Sequence, residues 1–133
     1  MTKIRKITIS FTLLFLSTLT PTQAQNWPSW RGPNGDGTSV ETNLPVKWDS
    51  ITNILWKVPV PGIGYASPIV WGDKLFTVTA MPETQEKVLL CYSCKDGSLL
   101  WQKTVIKTQF EKKHNDNSFA SGTPATDGIN IYG

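Results

Sequence analysis

"SPIVWGDKLF", residues 67–76, and "TPATDGINIY", residues 123–132, stand 56 residues apart and share, in order, a small residue before proline, a Gly-containing turn and an apolar–aromatic pair. A second anchor recurs independently: "LWK" at 55–57 returns as "LWQ" at 100–102, an offset of 45. Short runs rich in Val, Ile, Leu and Thr lie around these anchors, and turn signals punctuate them. They are residues 54–58, then 67–70 and 75–80 across Trp71-Gly72-Asp73-Lys74, then 88–92 and 99–105 across Lys95-Asp96-Gly97. No apolar stripe at helical spacing competes with them. The expected unit is four antiparallel strands: a Pro-led strand, its hairpin partner, a third strand, and a fourth carrying tryptophan. A repeated sheet of this size that cannot bury both faces alone is what a propeller blade looks like in sequence. The predicted fold is therefore all-β, a β-propeller of four-stranded antiparallel blades that is incomplete in this chain.

The 133-residue sequence opens with Lys3, Arg5 and Lys6, an apolar run over 7–19 broken by threonines and serines, and small residues at Thr22 and Ala24. This order reads as a cleaved secretory signal over 1–24 with Gln25 as the mature end. Its thirteen-residue apolar run is short for a membrane span, which takes about twenty residues, so no retained span is expected. No cysteine follows the run for lipid attachment. The formal charge of +3 belongs wholly to this segment, because residues 25–133 carry ten Lys or Arg against ten Asp or Glu. That balance gives no basis for a nucleic-acid partner. The expected location is secreted or periplasmic.

The stretch "LLCYSCKDGSLLWQ", residues 89–102, resembles the blade signature of the pyrroloquinoline-quinone-like (quinoprotein dehydrogenase-like) β-propeller repeat proteins. Its parts are an apolar strand, the Asp96-Gly97 turn and the docking residue Trp101, with Ser93 standing where the family carries Asp. "NWPSWRGPNGDGTS", "LPVKW" and "GTPATDG" are similar to a secreted bacterial subgroup of the same superfamily. The resemblance covers most of residues 25–133 and implies structural roles for Trp56, Trp101 and Gly97. It speaks to fold far more than to chemistry.

Blade geometry places the two tight turns on one face of a disc and the connections 59–66, 81–87 and 107–122 on the other. The eleven-residue difference between the two offsets falls in the last of these. Loops on a rigid scaffold concentrate function, so this end is the expected place for a protein or glycan partner. Within it "EKKHNDNSFASG" supplies His114, Asp116 and Asn117 as candidate ligand-binding residues, His114 being the only histidine. A solvated polar loop is the competing and favoured reading. Catalytic residues are not identifiable: there is no triad and no phosphate loop.

Cys91 and Cys94 form a lone C-x-x-C. Zinc needs two further ligands, and c-type haem needs histidine where Lys95 stands. Cys91 is read as core and Cys94 as a turn residue, with a local disulfide as the alternative if the strand bends. "NGDG", residues 34–37, lacks the alternating carboxylates of a calcium loop and reads as a turn. No metal site is expected.

Residues 25–53 are expected to be a strap, with Trp27, Trp30 and Trp48 packed on the disc, Pro28 and Pro33 holding an extended path, and Arg31 stacked on a neighbouring tryptophan. Residues 54–58 then form an orphan strand that closes a ring with strands from the far C-terminus. The remainder, to residue 133, is one full blade and the start of the next. A propeller takes about four to eight blades, so the expected context is a chain several times longer. Three functions fit: an exported binding or scaffold propeller, which is preferred; a repeat domain serving a catalytic domain elsewhere; or, by resemblance, a quinone-dependent alcohol or sugar dehydrogenase. In the last case pyrroloquinoline quinone would be held in the missing C-terminal part.

Overall fold

The computed structural model describes residues 25–42 and 44–133. The signal reading falls on 1–24, outside the described residues. Those described contain strands and no helix: β1 Ile69–Trp71, β2 Lys74–Met81, β3 Glu86–Ser93, β4 Leu99–Lys107, β5 Ala125–Thr126 and β6 Ile131–Tyr132. The first four make one antiparallel sheet in the order β1-β2-β3-β4, and β5 pairs with β6. Proline has no N–H to give a ladder, and β1 and β5 begin just after Pro68 and Pro124.

The sequence repeat is also a repeat of register. Ile69 pairs with Phe76 and Val70 with Leu75, and 56 residues later Ala125 pairs with Tyr132 and Thr126 with Ile131. The copies touch at equivalent positions, where the Ser67 amide donates to Thr123 Oγ1 at 3.1 Å. In the first hairpin Gly72 occupies the leading turn position at φ +57, where a two-residue hairpin turn favours glycine.

Both faces of the sheet are apolar, which is why its strands do not alternate cleanly between polar and apolar. In the β2–β3 register Leu75, Thr77 and Thr79 stand opposite Tyr92, Leu90 and Val88. Val58 and Met81 pack on the Val88–Leu90–Tyr92 cluster that results. The other face joins Ile69, Phe76 and Cys91, with Leu89 and Ile131 against them. Segments before and after the sheet thus cover opposite faces. Full burial of a side chain such as Leu90 contributes roughly 1.5–3 kcal/mol. β4 has a partner on one side only and is exposed along its length, with register shifts at Lys87/Val88 and Cys91/Tyr92 on β3.

Two expectations are corrected. Residues 54–58 form no strand: the run is apolar, but it has no ladder partner among the described residues and holds to the sheet through side chains instead. Trp30 and Trp48 are each 63% exposed rather than packed. Of the three strap tryptophans Trp27 is the one joined to the sheet, through backbone bonds to Val70.

Candidate functional site

The two ends of the sheet are distinct. At one end the tight turns meet, the Cys94 amide donating to the Asp73 carbonyl at 2.9 Å. At the other the three longer connections are tied together. Ile63 bridges Ala80, the amides of Tyr65 and Ala66 donate to the Ala120 carbonyl, and Phe110 N–H donates to Gln85 Oε1 at 2.8 Å. The expected segregation of connections is present in the first sheet.

His114, Asp116 and Asn117 lie in the longest connection and face solvent. The Asn117 amide closes a turn on the His114 carbonyl at 3.0 Å. His114 Nδ1 is 3.3 Å from both the amide nitrogen and Oδ2 of Asp116. These contacts are local: His114 and Asp116 face each other, and Asn117 joins them through its main chain. Beneath them Phe110 stacks on Phe119 at 4.5 Å, and Lys113 Nζ lies 5.1 Å from the Phe119 ring centre. This is the solvated-loop arrangement. Among the described residues no three His, Cys, Asp or Glu side chains gather to hold a metal.

Of the residues expected to be structural, the fold brings Trp56 and Gly97 together. The Trp56 indole lies over Gly97 and donates from Nε1 to the Cys94 carbonyl at 2.8 Å. Trp101, its counterpart 45 residues on, sits 5.9 Å from Phe76 at a 48° tilt and is 39% exposed. Ser93 holds the turn: its Oγ accepts from the Lys95 amide at 3.2 Å, and its carbonyl from Gly97 N–H at 2.9 Å. Asp96 turns the chain by accepting from the amide and hydroxyl of Ser98, and these bonds lower its pKa. Residues 34–37 form a turn, with Asp36 accepting from the Thr38 amide. Arg31 sits 5.0 Å from the Trp30 ring centre, the expected stacking on a neighbouring tryptophan. Both cysteines are free thiols, Cys91 fully buried and Cys94 partly so.

A hollow of about 360 Å³ opens on the Trp56 side of the sheet, among Trp56, Val58, Leu75, Thr77, Thr79 and Tyr92. Thr79 Oγ1 donates to the Pro61 carbonyl at 2.7 Å, whereas the Tyr92 hydroxyl is buried without a partner among the described residues. Burial pushes the Tyr92 pKa up. The apolar lining offers no carboxylate or cation to an ionic ligand and no acid–base pair. It does not fit a polyanionic quinone held by calcium.

Sequence reasoning missed the contacts of Trp27, Pro28 and Tyr92. The first two use main-chain atoms and carry no side-chain signal, and a lone tyrosine in an apolar strand reads as core. No described helix is long and apolar enough to cross a membrane. Comparison with protein-family models, with curated proteins and with solved structures found no match.

Proposed function

We propose that residues 54–133 form a full blade and the start of the next in an exported, pyrroloquinoline-quinone-like β-propeller, and that this propeller is a binding or scaffold domain. One observation carries the reading: the hairpin register recurs at the 56-residue offset, with the second copy packed on the first through Ile131. The Trp56–Gly97 contact supports it. The Trp56 indole docks on the Gly97 turn of the four-stranded sheet, and the partly exposed Trp101 stands at the equivalent position 45 residues on. The scaffold role follows from where the polar chemistry is. It lies in exposed turns, with Asp96 and Asp127 in tight hairpin turns and His114 and Asp116 in the longest connection, and that connection is suited to presenting a surface to a protein or glycan.

Reconstitution of the intact protein with pyrroloquinoline quinone and calcium tests the role. Quinone absorbance and alcohol-dependent dye reduction are followed together, and the expected result is no turnover. Bound quinone with turnover would replace the scaffold by a dehydrogenase. N-terminal sequencing of the exported protein should begin at Gln25, and retention of Met1 would remove the export step.

A further inference from the structure

In extended chain the N–H and C=O of successive residues point to alternate sides. Trp27 faces β1: its N–H donates to the Val70 carbonyl at 2.8 Å and its carbonyl accepts from Val70 N–H at 2.9 Å. Pro28 faces the other way, and its carbonyl accepts from Thr126 N–H of β5 at 2.9 Å. Val70 and Thr126 are the same position of the repeat, 56 residues apart. One step back, Asn26 Oδ1 accepts from Gly72 N–H at 2.7 Å. Three consecutive residues therefore hold the β1 edge, the tight turn that follows it, and the β5 edge.

The residue types suit the task. β1 is the outer strand of its sheet and leaves an edge open on this side. Proline lacks an N–H and is tolerated where no ladder bond is required of it, and Pro28 meets β5 through its carbonyl alone. The following loop keeps the strand in place. Gly32 N–H donates to the Ser29 carbonyl at 2.9 Å, Ser29 Oγ donates back to the Gly32 carbonyl at 3.0 Å, and a Cβ on Gly32 would come within 2.8 Å of the Trp27 indole.

We infer that residues 26–28 are an intramolecular clamp: a shared edge strand, lying in a slot between β1 and β5, that locks the two copies of the repeat into one body. The slot accepts an extended peptide and is filled by the chain's own segment. Release of the clamp uncovers two sheet edges at once, the kind of surface that pairs with other chains. The inference does not depend on how many sheets follow or on whether they close a ring.

Native-state amide exchange on the intact protein, at urea concentrations below unfolding, tests it. The amides of Val70, Gly72 and Thr126 should exchange through one shared opening, with a common urea slope, at lower urea than Leu90 of β3. Asn26→Ala, which deletes only the bond to Gly72, should accelerate all three about fivefold, the effect of one lost hydrogen bond. Acceleration of Gly72 with Thr126 unchanged, or exchange of all three only on global unfolding, would overturn the clamp.

Discussion

The indole of Trp56 covers Gly97 so closely that a Cβ built there would lie 2.6 Å from Trp56 Cε3 and 3.0 Å from Val58 Cγ1. Gly97 also holds φ +71, a conformation in which a side chain costs roughly 1–2 kcal/mol. Gly97→Ala adds overpacking of about 1–3 kcal/mol to that strain. The expected loss is about 2–5 kcal/mol, measured by urea unfolding of the intact protein. In a Trp56→Ala background most of the overpacking part should vanish, leaving the backbone strain and the Val58 contact. Equal losses in both backgrounds would show that the indole does not press on the turn.

β4 exposes Leu99, Leu100, Trp101, Val105 and Ile106, more apolar surface than a solvent-facing strand needs. On the propeller proposal neighbouring sheets cover it. Leu100→Ala should then cost about 2 kcal/mol in the intact protein, near the lower end for a buried leucine. The reference is Leu90→Ala, whose side chain is fully buried within the described residues. A Leu100→Ala effect within about 0.5 kcal/mol, the usual surface value, would place β4 in water and count against the ring.

The strands were legible because two signals agreed. The Gly72 and Gly97 turns mark where the chain reverses, and the copied Pro-led hairpin fixes which runs pair. Residues 54–58 show the limit of that logic. An apolar run with a tryptophan looks like a strand whether or not a partner exists, and here Trp56 anchors by its side chain. Of the strap, residues 26–28 run alongside β1, but residues 29–37 turn instead of keeping the expected extended path through Pro33, with Gly32, Gly35 and Gly37 at positive φ; the working bonds at Trp27 and Pro28 are main-chain bonds with no periodic trace. The candidate site was legible only as a polar loop. The side chains of His114 and Asp116 bond to neighbours two residues away, a local geometry that spacing alone does not separate from a ligand cluster.

Asp127 closes the second hairpin and gives it a pH dependence. Its carboxylate accepts from the amides of Asn130 and Ile129 and from the Tyr132 hydroxyl at 2.7, 2.8 and 2.8 Å. These bonds, the Asn130 amide foremost, lower its pKa from 3.8 to about 2. The folded value is depressed, so the contribution is complete above pH 3.8 and is lost as pH falls toward about 2. The Ile129 and Asn130 amide resonances should titrate with a midpoint near the lower value. Asp127→Asn should abolish the titration, and a midpoint at the ordinary carboxylate value would show the turn open in solution. Above neutrality the same contact acts in the opposite sense on Tyr132, whose pKa is raised by its bond to Asp127.

The cysteine pair predicts an order of reaction. Burial is the main cause holding both thiols above their ordinary pKa; the nearby Asp73 charge adds to the effect at Cys94, while Lys74 partly offsets it at Cys91. The thiolate is the reactive form, so both should alkylate slowly at neutral pH. Access separates them, because Cys91 is fully buried against Ile69 and Phe76 whereas Cys94 lies at the partly exposed β3–β4 turn. Mass spectrometry after a short iodoacetamide pulse on the native protein should find the label on Cys94, with Cys91 modified only in denaturant. Equal native labelling would mean that the sheet opens between β1 and β3 on the timescale of the pulse. A Cys91–Cys94 disulfide, seen as resistance of both residues to alkylation in denaturant until reductant is added, would require the β3 strand to bend where the structure keeps both thiols free.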